Sequence, residues 1–139
     1  MADESSTAQS LDTTQSSFAP TMQGIFRIGT GLLFWQHGAQ KLFGLLGGSQ
    51  VESYFSLMGL AGAFEFFGGL LVALGLFTRP VAGVLALEML IAYFYAHAPN
   101  GVFPIQQGGG ELALLYMLAF AVIATLGPGS WNLDDMMGG

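Results

Sequence analysis

Six ionisable side chains lie within or at the edge of stretches far too apolar for a water-facing surface. His37 and Lys41 are four residues apart in one such stretch, so on a helix they share a face. Arg27 lies ten residues before His37; Glu65 and Glu88 lie deep in two further stretches, and Glu111 opens a fourth. Imidazole, ammonium and carboxylate groups can bond carbonyl oxygens, attract anions and carry protons. Each costs roughly 2.5–3.5 kcal/mol in a bilayer centre on insertion scales. His37, Lys41, Glu65, Glu88, Glu111 and Arg27 are therefore the candidates for ligand binding or proton transfer. Plainer roles compete: Lys41 snorkelling to head groups, Glu111 meeting a helix dipole, and interhelical hydrogen bonds for His37, Glu65 and Glu88. Arg79 reads as a topology anchor and His97 as an interfacial side chain. Two histidines on different helices raise a b-type haem, but their expected depths differ by roughly 10 Å and one iron must meet both. His37, Glu65 and Glu88 show no recognised metal-ligand spacing, so no metal ligand is assigned. There is no nucleophile elbow or phosphate loop, and no catalytic residue is assigned.

The elements that would position these residues are helices long enough to cross a membrane, which takes about 20 mostly apolar residues. The spacing predicts four, over 22–46, 57–77, 80–98 and 111–126. Gly47-Gly48-Ser49-Gln50 separates the first two, and Thr78-Arg79-Pro80 reads as a tight turn with Thr78 as the cap. Pro99-Asn100-Gly101 closes the third helix and Gly127-Pro128-Gly129 the fourth. The expected fold class is an all-α membrane protein, a four-transmembrane-helix bundle over 22–135. Residues 1–21, acidic and rich in Ser, Thr and Gln, are expected to form a disordered tail, and 136–139 a loose one. Gly24, Gly31 and Gly38 repeat every seven residues, as do Gly62 and Gly69, which suits close helix packing. At ~1.5 Å per residue, His37, Glu65 and Glu88 fall in one layer below the end opposite the tails, here called the outer end. Lys41, His97 and Glu111 fall in a shallower layer. We expect His37 to meet Glu65, Lys41 to meet Glu111, and Arg27 to stand away near the inner end.

Composition agrees. The 139 residues are 53% hydrophobic and only 9% charged, against about 25% charged in soluble domains, with a mean hydropathy of +0.59. The partner implied is the lipid bilayer. Arg27, Lys41 and Arg79 are the only basic residues, which excludes nucleic acid as a partner. No cysteine is present, so the chain supplies no disulfide or thiolate ligand. Four crossings put both tails on one side, with Arg27 and Arg79 near it, and the positive-inside tendency makes that side cytoplasmic.

Several stretches together resemble the DoxX family of small bacterial and archaeal membrane proteins. They are Arg27-Ile28-Gly29, His37-Gly38-Ala39-Gln40-Lys41-Leu42-Phe43-Gly44, Glu65-Phe66-Phe67-Gly68-Gly69, Gly75-Leu76-Phe77-Thr78-Arg79, Glu111, and Gly127-Pro128-Gly129-Ser130-Trp131-Asn132-Leu133-Asp134. The likeness covers roughly 26–135. It implies a place in the plasma membrane of a prokaryote. It also implies an association with sulfur and quinone redox chemistry, since founding members are subunits of a thiosulfate:quinone oxidoreductase and others serve redox-stress complexes. The expected function is thus a subunit of, or accessory to, a quinone-linked membrane oxidoreductase, with quinone as the ligand and no intrinsic cofactor evident. Its partners would be other membrane or redox subunits, or copies of itself. A non-enzymatic scaffold or assembly module, or a transporter of a proton or small solute, are the alternatives. Arg27, His37, Lys41, Glu65, Arg79 and Glu111 are the positions that match the family's stretches; Glu88 and His97 match less well.

Overall fold

The computed structural model describes residues 2–138, with the side chains of 3–10 and 18–138. Among these residues all regular secondary structure is helical. Helix α1 runs Ala2–Phe43. α2, Leu57–Leu74, and α3, Thr78–Asn100, are each long and apolar enough to cross a membrane by length and composition. α4, Gly110–Leu126, is equally apolar but has 17 residues. Short 3-10 turns at Pro104–Gln106 and Asp135–Met137 complete the chain.

The helix starts and stops have local causes. Ser56 caps α2, its hydroxyl accepting from Gly59 N–H at 3.0 Å. α2 ends where Gly75 turns left-handed, at φ +70°, three residues short of the 77 expected. α1 extends much further than expected. Residues 2–21, expected to be a disordered tail, continue it as helix, because a formed helix adds residues at one hydrogen bond each without a new nucleus. The side chains of residues 3–10 are exposed, so this extension buries nothing there.

α1 packs on α2, and α3 on α4. Gly31, Gly38, Gly62 and Gly69 lie at the first of these contacts, while Gly24 meets Ser130 and Trp131 of the C-terminal segment. A Cβ on Gly31 would sit 2.6 Å from Ala73 N and 2.7 Å from Gly69 O, and one on Gly38 would collide with the Phe66 backbone. Only a missing side chain lets the two backbones approach so closely. Phe34, Val72, Leu85, Phe120 and Ile123 form the shared core. Phe34 and Phe120 meet edge-on at 4.7 Å.

The α2–α3 turn is capped differently from the expectation. Thr78 is the first residue of α3 rather than its cap, and the cap arrives from the C-terminal segment. Phe77 and Thr78 N–H donate to the two carboxylate oxygens of Asp134 at 2.7 and 3.0 Å. The segment 127–135 lies as a strap across this end of the bundle. Ser130 N–H donates to Pro20 O, Leu133 N–H to Leu74 O and Asp134 N–H to Gly75 O, tying it to α1 and to the α2–α3 turn.

Candidate functional site

Two polar constellations occupy opposite ends of the bundle. At the strap end, Arg27 is fully buried, at 0% exposure. Its guanidinium donates to Val72 O and Ala73 O from the last turn of α2, at 2.9 and 2.5 Å. It also donates to Pro128 O, Ser130 O and Trp131 O of the strap, at 2.7, 3.0 and 2.8 Å. Carbonyls from two segments thus use its planar fork of donors, and the Asp134 carboxylate lies within electrostatic range of the charge. Arg27 stands apart from the other candidates, as expected, and its donors serve to fasten the strap. Arg79, exposed, reaches the last turn of α4 and donates to Thr125 O at 2.5 Å.

At the other end lies a cavity of about 380 Å³. α1 contributes Phe34, His37 and Lys41 to its wall, α2 contributes Glu65, and α4 contributes Tyr116. His97 closes it from the end of α3. Glu65 is 2% exposed. It lies in a wide π-helical turn, Phe64–Gly68, which breaks the α-helical register of α2 beside α1. Lys41 Nζ donates to Glu65 Oε1 at 2.5 Å, and its side chain keeps 25% exposure. Charge-assisted bonds of this kind are short and strong. Glu65 Oε2 is buried and has no partner among the described residues. Both carboxylate oxygens of Glu88 are likewise buried and unpartnered, within electrostatic range of Glu65 and Lys41.

The pairing differs from the one expected on depth. Lys41 bonds Glu65, not Glu111, and Glu111 is exposed in the first turn of α4. No hydrogen bond joins His37 to Glu65. His37 instead packs edge-on against Tyr116 at 5.7 Å in the same cavity. Depth placed these groups in neighbouring layers, but helix rotation and the length of the lysine stem decided which atoms meet. A lysine one turn nearer the surface reaches down its own helix to a carboxylate below it. Sequence reasoning missed Tyr116, whose signal was a lone tyrosine in the apolar run 112–124 of α4. It also missed Asp134 as a helix cap. Among the described residues, no group of three or more His, Asp or Glu side chains could hold a metal ion.

The arrangement offers an ammonium, an imidazole and a phenol around a space walled mainly by apolar side chains. Such a space suits a ligand with a flat, mostly apolar body and a few oxygens. The chain belongs to the DoxX family, whose model matches residues 22–98. It is 38% identical over 125 residues to an uncharacterized protein of Haemophilus influenzae, covering 85% of this chain and 92% of that protein. No solved structure matches the chain.

Proposed function

We propose that this membrane protein is a subunit of, or accessory to, a quinone-linked oxidoreductase, and that its cavity receives a quinone head group. One observation carries the reading: a lysine–carboxylate pair, its carboxylate buried and its lysine part-exposed, lies in an aromatic-walled cavity that also holds a histidine and a tyrosine. Lys41 and His37 supply donors for the quinone carbonyls, Phe34 and Tyr116 supply faces for the ring, and Glu65 with Glu88 supplies carboxyl groups that can carry a proton. All four helices cross the bilayer in this reading, α1 through its residues from 22 onward. Both tails are cytoplasmic, and the membrane is the plasma membrane of a prokaryote. Electrons leave or arrive through a partner subunit.

The scaffold reading keeps one observation of its own. Arg27, with five hydrogen bonds to carbonyls, fastens elements together and is not among the residues that line this cavity. Titration of the purified protein with a short-chain naphthoquinone, followed by quenching of its tryptophan fluorescence, separates the two. The quinone reading expects saturable binding that His37→Ala weakens at least about tenfold, the scale of 1.4 kcal/mol for one lost hydrogen bond. Wild-type protein that binds no quinone, and copurifies with none in mild detergent, overturns it in favour of the scaffold.

A further inference from the structure

The outer end of the bundle carries a surface that the cavity does not explain. The loops 44–56 and 101–109 close that end, and Gly108 and Gly109 of the second line the cavity directly. Their outermost side chains are apolar and strongly exposed: Phe55 at 103%, Val102 at 85%, Ile105 at 79% and Phe103 at 62%. Leu45 and Leu46 are exposed beside them. Between residues 89 and 110 there is no Asp, Glu, Lys or Arg, and Glu52 is the one such residue from 42 to 64.

We propose that these two loops lie in the interfacial layer of the bilayer, so that the cavity opens toward lipid and takes an amphiphile from the membrane rather than a solute from water. The exposed, uncharged character of these loops is joined by two observations. The first is length. α2 has 18 residues and α4 has 17, while α3 has 23. At ~1.5 Å per residue they span ~27, ~26 and ~34 Å against a ~30 Å hydrocarbon core. With the strap end held at one face by Arg79, Asp134 and Asp135, the outer ends of α2 and α4 stop within the membrane boundary and the end of α3 reaches its interface.

The second observation is how these loops treat their own polar groups. Gln107 is buried and donates to Gly101 O at 2.8 Å. Asn100 donates to Ala96 O at 2.7 Å, and Gln106 and Gln107 N–H donate to Phe103 O and Pro104 O. In the other loop, Gln50 and the Tyr54 hydroxyl both donate to Leu42 O, at 3.0 and 2.9 Å. Loops at membrane depth must satisfy such groups internally. Turn bonds of this kind also form in water-facing loops, so this bonding is compatible with membrane depth without requiring it. Gln107 is turned inward, whereas Gln50, Glu52, Ser53 and Gln106 are exposed, so these loops present polar as well as apolar side chains, as the head-group side of an interfacial layer permits.

The ligand half of this inference rests on the quinone reading; the placement of the loops does not. The chain lacks cysteine, so single spin labels at Phe55→Cys, Phe103→Cys and Ile105→Cys can be introduced without removing anything. In phosphatidylcholine vesicles, power saturation compares collisions with oxygen, which concentrates in lipid, and with an aqueous nickel chelate. The expected result is an oxygen-to-nickel ratio several-fold higher at all three sites than at Met137→Cys, an exposed site in the C-terminal turn. Ratios equal to that of the control overturn the proposal. On the same vesicles, half-saturation by a long-tailed quinone should follow its mole fraction in lipid and not its bulk concentration. Dependence on bulk concentration alone overturns lipid entry. Absence of binding with the labels immersed overturns the quinone reading and leaves the loop placement standing.

Discussion

Lys41 and Glu65 illustrate how one bond redefines two residues. Separately, each is a charge that a bilayer disfavours. Together they form a pair whose members are 25% and 3% exposed at the side chain. Removing one partner of such a pair leaves the other buried and uncompensated, whereas replacing both with apolar groups removes the desolvation cost along with the attraction. Lys41→Met should therefore lower stability by about 3 kcal/mol, and the double variant Lys41→Met with Glu65→Leu should recover most of that loss. Thermal unfolding in detergent measures both. A double variant no more stable than Lys41→Met would mean that the carboxylate is held by groups other than Lys41. Quinone binding should fall in both variants, which separates the ligand role of the pair from its part in the fold.

At the scale of the elements, the strap decides how the inner end holds together. It contributes three carbonyls to Arg27 and the Asp134 carboxylate to the start of α3. Burial pushes the Asp134 carboxyl up, but hydrogen bonds from Thr78 and Phe77 and the nearby Arg27 charge outweigh it and hold the group below its ordinary value of 3.8. A carboxyl whose value is depressed by folding stabilises the fold fully above its unfolded value. It loses that contribution as the pH falls through the folded value. Asp134→Asn should cost about 1 kcal/mol at neutral pH, the scale of a lost helix cap. The gap between variant and wild type should then narrow as the pH falls below about 4. A gap that stays constant down to low pH would show that the carboxylate charge contributes nothing to the cap.

At the scale of the whole molecule, the two ends differ in kind. The strap end is sealed by backbone carbonyls around an arginine, and the other end holds a cavity beneath apolar loops. Arg27 is internal in the folded protein, so only Arg79 is left as an exposed cation at the strap end. The positive-inside tendency nevertheless acts on the chain as it inserts, when Arg27 and Arg79 still count together against Lys41. Cytoplasmic tails are the orientation this expects, as in the proposed function. In intact cells a membrane-impermeant maleimide should leave Ser5→Cys unmodified and react with Glu52→Cys, whose position is exposed and charged in the outer loop. The opposite pattern would invert the orientation.

The sequence by itself located the apolar helices and, apart from the start of α1, their approximate limits, because hydrophobic length and Gly–Pro punctuation are local properties of the chain. It determined the close approach of α1 and α2 for the same reason: glycines seven residues apart mark a face with nothing on it. It also separated Arg27 from His37, since ten residues of helix fix ~15 Å of depth. What it could not determine was rotation. Whether Lys41 meets Glu65 or Glu111 depends on the azimuth of three helices and on the wide turn at Phe64–Gly68, and neither leaves a periodic trace. Residues 2–21 read as a tail because their composition cannot bury a core, yet they follow a helix already nucleated downstream. The Asp134 cap lay beyond reach for a related reason. It joins groups 56 and 57 residues apart, and only the folded chain brings a C-terminal carboxylate to the N–H groups of a turn that its own neighbours leave uncapped.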